Sequence, residues 1–163
     1  MDEAVFRDLF AAQMRAHAEV RVPFGRVDIF IDRSPDELVA VEVEPFKRWR
    51  EGIRQALAYA AQFRPRRDAA GVEIRVRPGL AVFGQMDRDE SLAIYLKTRD
   101  HVALWLFDEL EWEKITNRIA ARRTHRHRSR SELEARLGAL RAENLDSLGW
   151  SKGARLGFAR GIV

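Results

Sequence analysis

The chain has 163 residues, of which 46% are apolar and 33% charged, a composition that supports one domain of ordinary size with a substantial core. No run approaches the roughly 18 apolar residues of a membrane helix, and the absence of cysteine excludes disulfides, thiolate zinc sites and cysteine-held iron–sulfur clusters. The net charge of +4 is unevenly divided: residues 1–110 carry 17 basic and 19 acidic side chains, residues 111–163 carry 12 and 6. The expected organisation is a core over residues 1–110 and an arginine-rich, mainly helical extension over residues 111–163.

The opening stretch, MDEAVFRDLFAAQMRAH, is mixed in charge where an export signal is basic and then apolar, so the expectation is a cytoplasmic protein with no membrane partner. Over residues 2–17, Val5, Phe6, Leu9, Phe10 and Met14 recur at helical spacing and predict an amphipathic helix. EVRVPFGRVDIFID then reads as two strands broken at Pro23 to Gly25, and SPDE as a turn before a third strand, LVAVEVE. After Pro45 the positions Trp49, Ile53, Ala56, Leu57, Ala60 and Phe63 return to the 3.6-residue period, so a second helix spans Phe46 to Phe63 until RPRRDAAG ends it. GLAVFG is a buried strand, RDESLAIYLKTRD a helix and HVALWLFD a further strand, an order that implies a parallel crossover. From Trp112 the pattern is helical to about Leu145, and a Gly-rich tail follows.

Acidic residues interrupt two of these strands. In the third strand Val39, Val41 and Val43 point one way and Ala40, Glu42 and Glu44 the other. In the second, Val27, Ile29 and Ile31 take the core side and leave Asp28, Phe30 and Asp32 opposite. A hairpin across residues 33–38 brings Asp28 towards both glutamates. Three such carboxylates repel one another unless a cation neutralises them or one keeps its proton, and an all-oxygen cluster suits Mg²⁺ or Mn²⁺. A sheet with one wet face would also alternate acids outward with no function attached. On the following helix Lys47, Glu51, Gln55 and Tyr59 fall at successive i+4 positions and form a polar row that starts beside the carboxylates.

These residues resemble the PD-(D/E)XK nuclease superfamily, whose signature is an acid on one strand followed by Glu or Asp, any residue, and Lys on the next. Asp28 matches the first acid and Glu42 the second, while Glu44 stands where the lysine is usual and Lys47 is the candidate for a displaced lysine. Gln55 and Tyr59 are similar to the Gln-x-x-x-Tyr motif of RecB-like members. The resemblance covers about residues 1–107 and implies an α/β restriction-endonuclease-like fold. That fold is an α-β-β-β-α-β core with a mixed sheet, here with a basic helical C-terminal extension. It further implies a Mg²⁺- or Mn²⁺-dependent DNA nuclease hydrolysing phosphodiester bonds, end-processing in the RecB-like manner or structure-selective like a Holliday junction resolvase. In that reading Asp28, Glu42 and Glu44 hold metal, Lys47 stabilises the phosphorane-like charge, and Gln55 and Tyr59 position the phosphate; Glu3 is a further candidate ligand. The alternative is a non-catalytic nucleic-acid-binding or assembly protein that keeps the fold.

The C-terminal third supplies the expected DNA contact. NRIAARRTHRHRSR places Arg118, Arg122, Arg123, Arg126, Arg128 and Arg130 where they could lie along phosphates, and a solvated helix face or connector is the competing reading. His125 and His127 are two apart, which points them away from each other on a helix; His101 reads as a turn residue and His17 as a helix-end residue. Leu133, Leu137, Leu140 and Leu145 suit either a homodimer seam or a helix packed on its own domain.

Overall fold

The computed structural model describes residues 2–108 and 129–141. In chain order it contains α1 (Glu3–Met14), β1 (His17–Val22), β2 (Gly25–Ser34), β3 (Glu37–Pro45), a 3₁₀ turn (Phe46–Arg48), α2 (Trp49–Ala60), β4 (Arg66–Arg67), β5 (Glu73–Phe83), α3 (Arg88–Thr98), β6 (Ala103–Phe107) and α4 (Arg130–Leu140). The helix starts follow capping chemistry. Asp2 accepts the Ala4 N–H, Asp87 accepts those of Asp89 and Glu90, and Ser129 with Glu132 forms a capping box at α4. Helix α1 stops at Arg15, in the left-handed region at φ 53°, so His17 opens β1 instead of closing a helix.

The sheet is mixed. β1, β2 and β3 form an antiparallel meander, and β3 pairs β5 in parallel from Glu37 opposite Arg75 to Pro45 opposite Phe83. On its other side β5 meets β4, antiparallel at Glu73 and Ile74, and then β6, parallel from Gly79 to Phe83. Pro78, which has no N–H to give a ladder, falls in the gap between these two short partners. The strand predicted for residues 79–84 thus begins six residues earlier, and β4 had no sequence signal because two residues show no period.

Helices cover both faces. Phe6 and Phe10 of α1 pack on Ile29, Ile31, Val39, Val41, Val43, Ala81 and Phe83, with the Phe6 and Phe83 rings 4.6 Å apart. On the opposite face Trp49 of α2 and Ile94 of α3 close over Leu80 and Val82. Beside them Leu133, Leu137 and Leu140 of α4 cover Phe30, Leu38, Ala40 and Phe63. Two arginines fasten α4: Arg136 pairs with Asp32 and donates to the Ser34 and Pro35 carbonyls, and Arg130 donates to those of Ala18 and Glu19. Of the two readings of the leucine row, packing on its own domain is the one observed for Leu133, Leu137 and Leu140; Leu145 lies outside the described residues.

Two expectations about the strands change. β3 is buried on both faces from Leu38 to Glu44, so its acids do not alternate into water. In β2 the alternation breaks at Asp28. Ile29 and Ile31 pack under α1, whereas Val27 joins Val20 and Phe30 on the α4 side, because below Ile29 the strand has left β3 and continues against β1 alone. No helix among the described residues is long and apolar enough to cross a membrane.

Candidate active site

The two firmest acids meet where β2 and β3 part. The ladder between them ends at Ile29 opposite Val41. One step further, Asp28 Oδ2 accepts the Val43 N–H at 3.0 Å and Glu42 Oε1 accepts the Asp28 N–H at 3.4 Å. Each carboxylate therefore takes up a backbone donor that the ladder no longer pairs. Glu42 and Glu44 are 4% and 3% exposed, and Asp28 is partly buried.

Helix α2 forms the roof. Gly52 lets it approach: a Cβ there would sit 2.7 Å from Glu44 Cγ and 2.5 Å from Leu80 Cδ1. Burial pushes the Glu42 carboxyl up to about 9, and the neighbouring Asp28 charge adds to it. Burial likewise raises Glu44 to about 7, against the pull of Arg48. Asp28 is raised by burial, partly offset by the Val43 N–H and by the charges of Arg7 and Arg26. Those two arginines share Glu19, at 3.1 and 3.3 Å. Glu3, at the start of α1, adds negative potential at both Glu42 and Glu44.

The cation at the site is not the one the motif suggests. Lys47 points outward from the 3₁₀ turn, exposed and without an ion pair among the described residues, whereas its neighbour Arg48 turns back. Arg48 Nε lies 3.4 Å from Glu44 Oε2, and its Nη2 lies 3.1 Å from Glu51 Oε2. The Glu44 contact is an ion pair without hydrogen-bond alignment, so the buried Oε2 keeps an unfilled acceptor. An i,i+4 Glu44–Arg48 spacing was present in the sequence, but the rotation of the turn that selects Arg48 over Lys47 was not.

The rest of the polar row survives. Gln55 Nε2 donates to Glu51 Oε1 at 3.5 Å. Tyr59, one turn on, lies over Gly25, where a Cβ would meet its ring at 2.8 Å; Gly25 has φ 126°, which glycine alone adopts freely. Burial and the Glu42 charge raise the Tyr59 hydroxyl pKa, and the Arg26 backbone hydrogen-bonds to it. Gln62, 1% exposed at the end of α2, clamps the β1–β2 turn by accepting the Phe24 N–H at 2.9 Å and donating to its carbonyl. No family model, curated protein or solved structure matches the chain.

The donor set can be tested against a metal. Asp28, Glu42 and Glu44 offer hard oxygen atoms, among them the buried Glu44 Oε2 that has no hydrogen bond, in surroundings that disfavour their negative charge, and this chemistry fits Mg²⁺ or Mn²⁺. Among the described residues no three acids or histidines converge as a finished ligand set. Asp28 and Glu42 each spend an oxygen on the backbone, and Glu44 faces Arg48. Of the arginines expected on DNA, Arg118, Arg122, Arg123, Arg126 and Arg128 lie outside the described residues, as do His125 and His127. Arg130 is engaged within the fold, with Glu134 at 3.1 Å and two β1 carbonyls, so it is a structural residue and not a free phosphate contact.

Proposed function

We propose that the chain is a divalent-metal-dependent deoxyribonuclease with a restriction-endonuclease-like core, hydrolysing phosphodiester bonds in branched DNA or at DNA ends. The observation that carries this reading is the cross-strand pair Asp28–Glu42, followed by Glu44 and roofed by the helix that bears Gln55 and Tyr59. With the two-residue β4 set aside, the order α1-β1-β2-β3-α2-β5 agrees with the α-β-β-β-α-β core that the motif belongs to. Asp28, Glu42 and Glu44 would hold Mg²⁺ or Mn²⁺, which when bound offsets charge on the scissile phosphate and lowers the pKa of a water. Arg48 holds Glu44 in place and presents positive charge at the mouth of the site, in the role the sequence assigned to Lys47. Gln55 and Tyr59 orient the phosphate from α2, and Arg118, Arg122, Arg123, Arg126 and Arg128 grip the DNA backbone.

Two observations favour the non-catalytic alternative, a nucleic-acid-binding protein that keeps the fold: Arg48 offsets the Glu44 charge, and Lys47 stays outside. The two readings separate on one experiment. Supercoiled, linear, single-stranded and four-way-junction DNA are incubated with Mg²⁺ or Mn²⁺, using the wild type and Glu42→Gln. Cleavage that the variant reduces by more than about a hundredfold supports the nuclease, since a direct ligand should matter at least as much as its supporting shell. Identical behaviour of the two proteins on every substrate removes it.

A further inference from the structure

Helix α3 carries an apolar stripe that the rest of the described structure leaves uncovered. Its inner side is anchored by Ile94 and Thr98, both buried, while Leu92, Tyr95 and Leu96 are 55%, 51% and 53% exposed. Spacings of three and four residues put these side chains on one face, and single exposed leucines are common but a contiguous stripe is not. The charges at its two ends run in the same order along the chain, Arg then Asp, and so in opposite order when counted inward from each end. Arg88 and Asp89 lie at the start of the helix, and Arg99 and Asp100 at its end, where they form only a loose, exposed pair at 3.6 Å.

We propose that this face is the interface of a homodimer in which α3 packs antiparallel on α3 of a second copy about a two-fold axis beside Ile94. That axis sets the register. Leu92 of one chain then faces Leu96 of the other, Asp89 faces Arg99, and Arg88 faces Asp100, each pair occurring twice by symmetry. The parallel arrangement would set the like charges Arg88 and Arg99 against their own copies, so charge complementarity selects both the occupant and its direction. Antiparallel helices also oppose their dipoles favourably. The contact is a single helix pair, smaller than a standard interface of about 800 Å² per partner, so the dimer dissociates on dilution. The proposal is independent of the nuclease reading.

Sedimentation velocity over a concentration series tests it on the full chain, with circular dichroism confirming the fold of each variant. The wild type should show a monomer–dimer equilibrium. Asp89→Arg and Arg99→Asp each place like charges in both facing pairs and should each weaken self-association by about tenfold or more. An equimolar mixture of the two variants restores opposite charges in every pair and should restore the dimer. Leu92→Glu should abolish it. A wild type that remains monomeric throughout, as it would if another part of the chain covered this face, overturns the proposal. So does a dimer that survives Leu92→Glu, or charge variants whose mixture is no more dimeric than either alone.

Discussion

Replacing Gly52 by alanine asks whether the close seating of α2 on Glu44 is required by the fold. The new Cβ would lie 2.5 Å from Leu80 Cδ1, 2.7 Å from Glu44 Cγ and 3.3 Å from Glu44 Cβ, about an ångström inside ordinary carbon contact. Leu80 can rotate a methyl group away. Glu44 has less freedom, because its Cβ is fixed to the central strand β3. The helix must therefore lift, at an overpacking cost of about 1–3 kcal/mol. Alanine returns about 0.5–1 kcal/mol in helix propensity, which leaves a net loss of roughly 0–2.5 kcal/mol. For a chain of this size that lowers Tm by up to about 10 °C. Gly138 in α4 is the internal control, since a Cβ there meets nothing within 4 Å and only the propensity gain of about 0.5–1 kcal/mol applies. Thermal melts followed by circular dichroism should show Gly52→Ala below the wild type and Gly138→Ala above it. A Gly52→Ala protein that melts at or above the wild-type temperature would refute the argument that this glycine is there for proximity.

Stability of the metal-free protein should fall with rising pH. The folded carboxyls of Glu42 and Glu44 sit near 9 and 7, above the ordinary 4.5, so the folded state holds protons that the unfolded chain releases. Their contribution is complete below about pH 4.5 and is lost as the pH rises through 7 and then 9; urea titrations in EDTA at pH 5, 7 and 9 should give a falling series that Glu42→Gln flattens. A level or rising series contradicts the burial of these acids. Gln62→Leu keeps the volume but strands the Phe24 N–H and carbonyl under the β1–β2 turn, and should cost on the order of 2 kcal/mol in urea denaturation; a loss below about 0.5 kcal/mol would mean the clamp is dispensable.

Periodicity carried the element order because its signals were long. Phe6 and Phe10, the valines of β3 and the apolar row of α2 each repeat several times. The approach of Asp28 to Glu42 was legible too, since a hairpin at residues 33–38 leaves little choice of register. What sequence could not supply was depth. Alternating acids look the same on a wet strand and beneath a helix, and their burial under α2, where Gly52 comes close to Glu44, distinguishes the two. An isolated glycine inside a helical pattern was a hint of close packing that the acids overshadowed. Arg48 and Lys47 differ by one step of a 3₁₀ turn, a rotation no composition reveals. The leucines of α4 suit a partner chain as well as their own sheet, and the deciding contacts, Arg136 with Asp32 and the Ser34 and Pro35 carbonyls, span over a hundred residues.

That span bears on how the protein is made. Val20, Val27, Phe30, Leu38, Ala40 and Phe63 are synthesised early, yet their cover is Leu133, Leu137 and Leu140. About 70 residues separate Phe63 from the first of these leucines, so at roughly 5–20 residues per second the nascent sheet waits several seconds with this face bare. A ribosome that terminates before α4 releases a chain whose sheet lacks this apolar cover, and such truncated products should be chaperone clients and substrates for proteolysis.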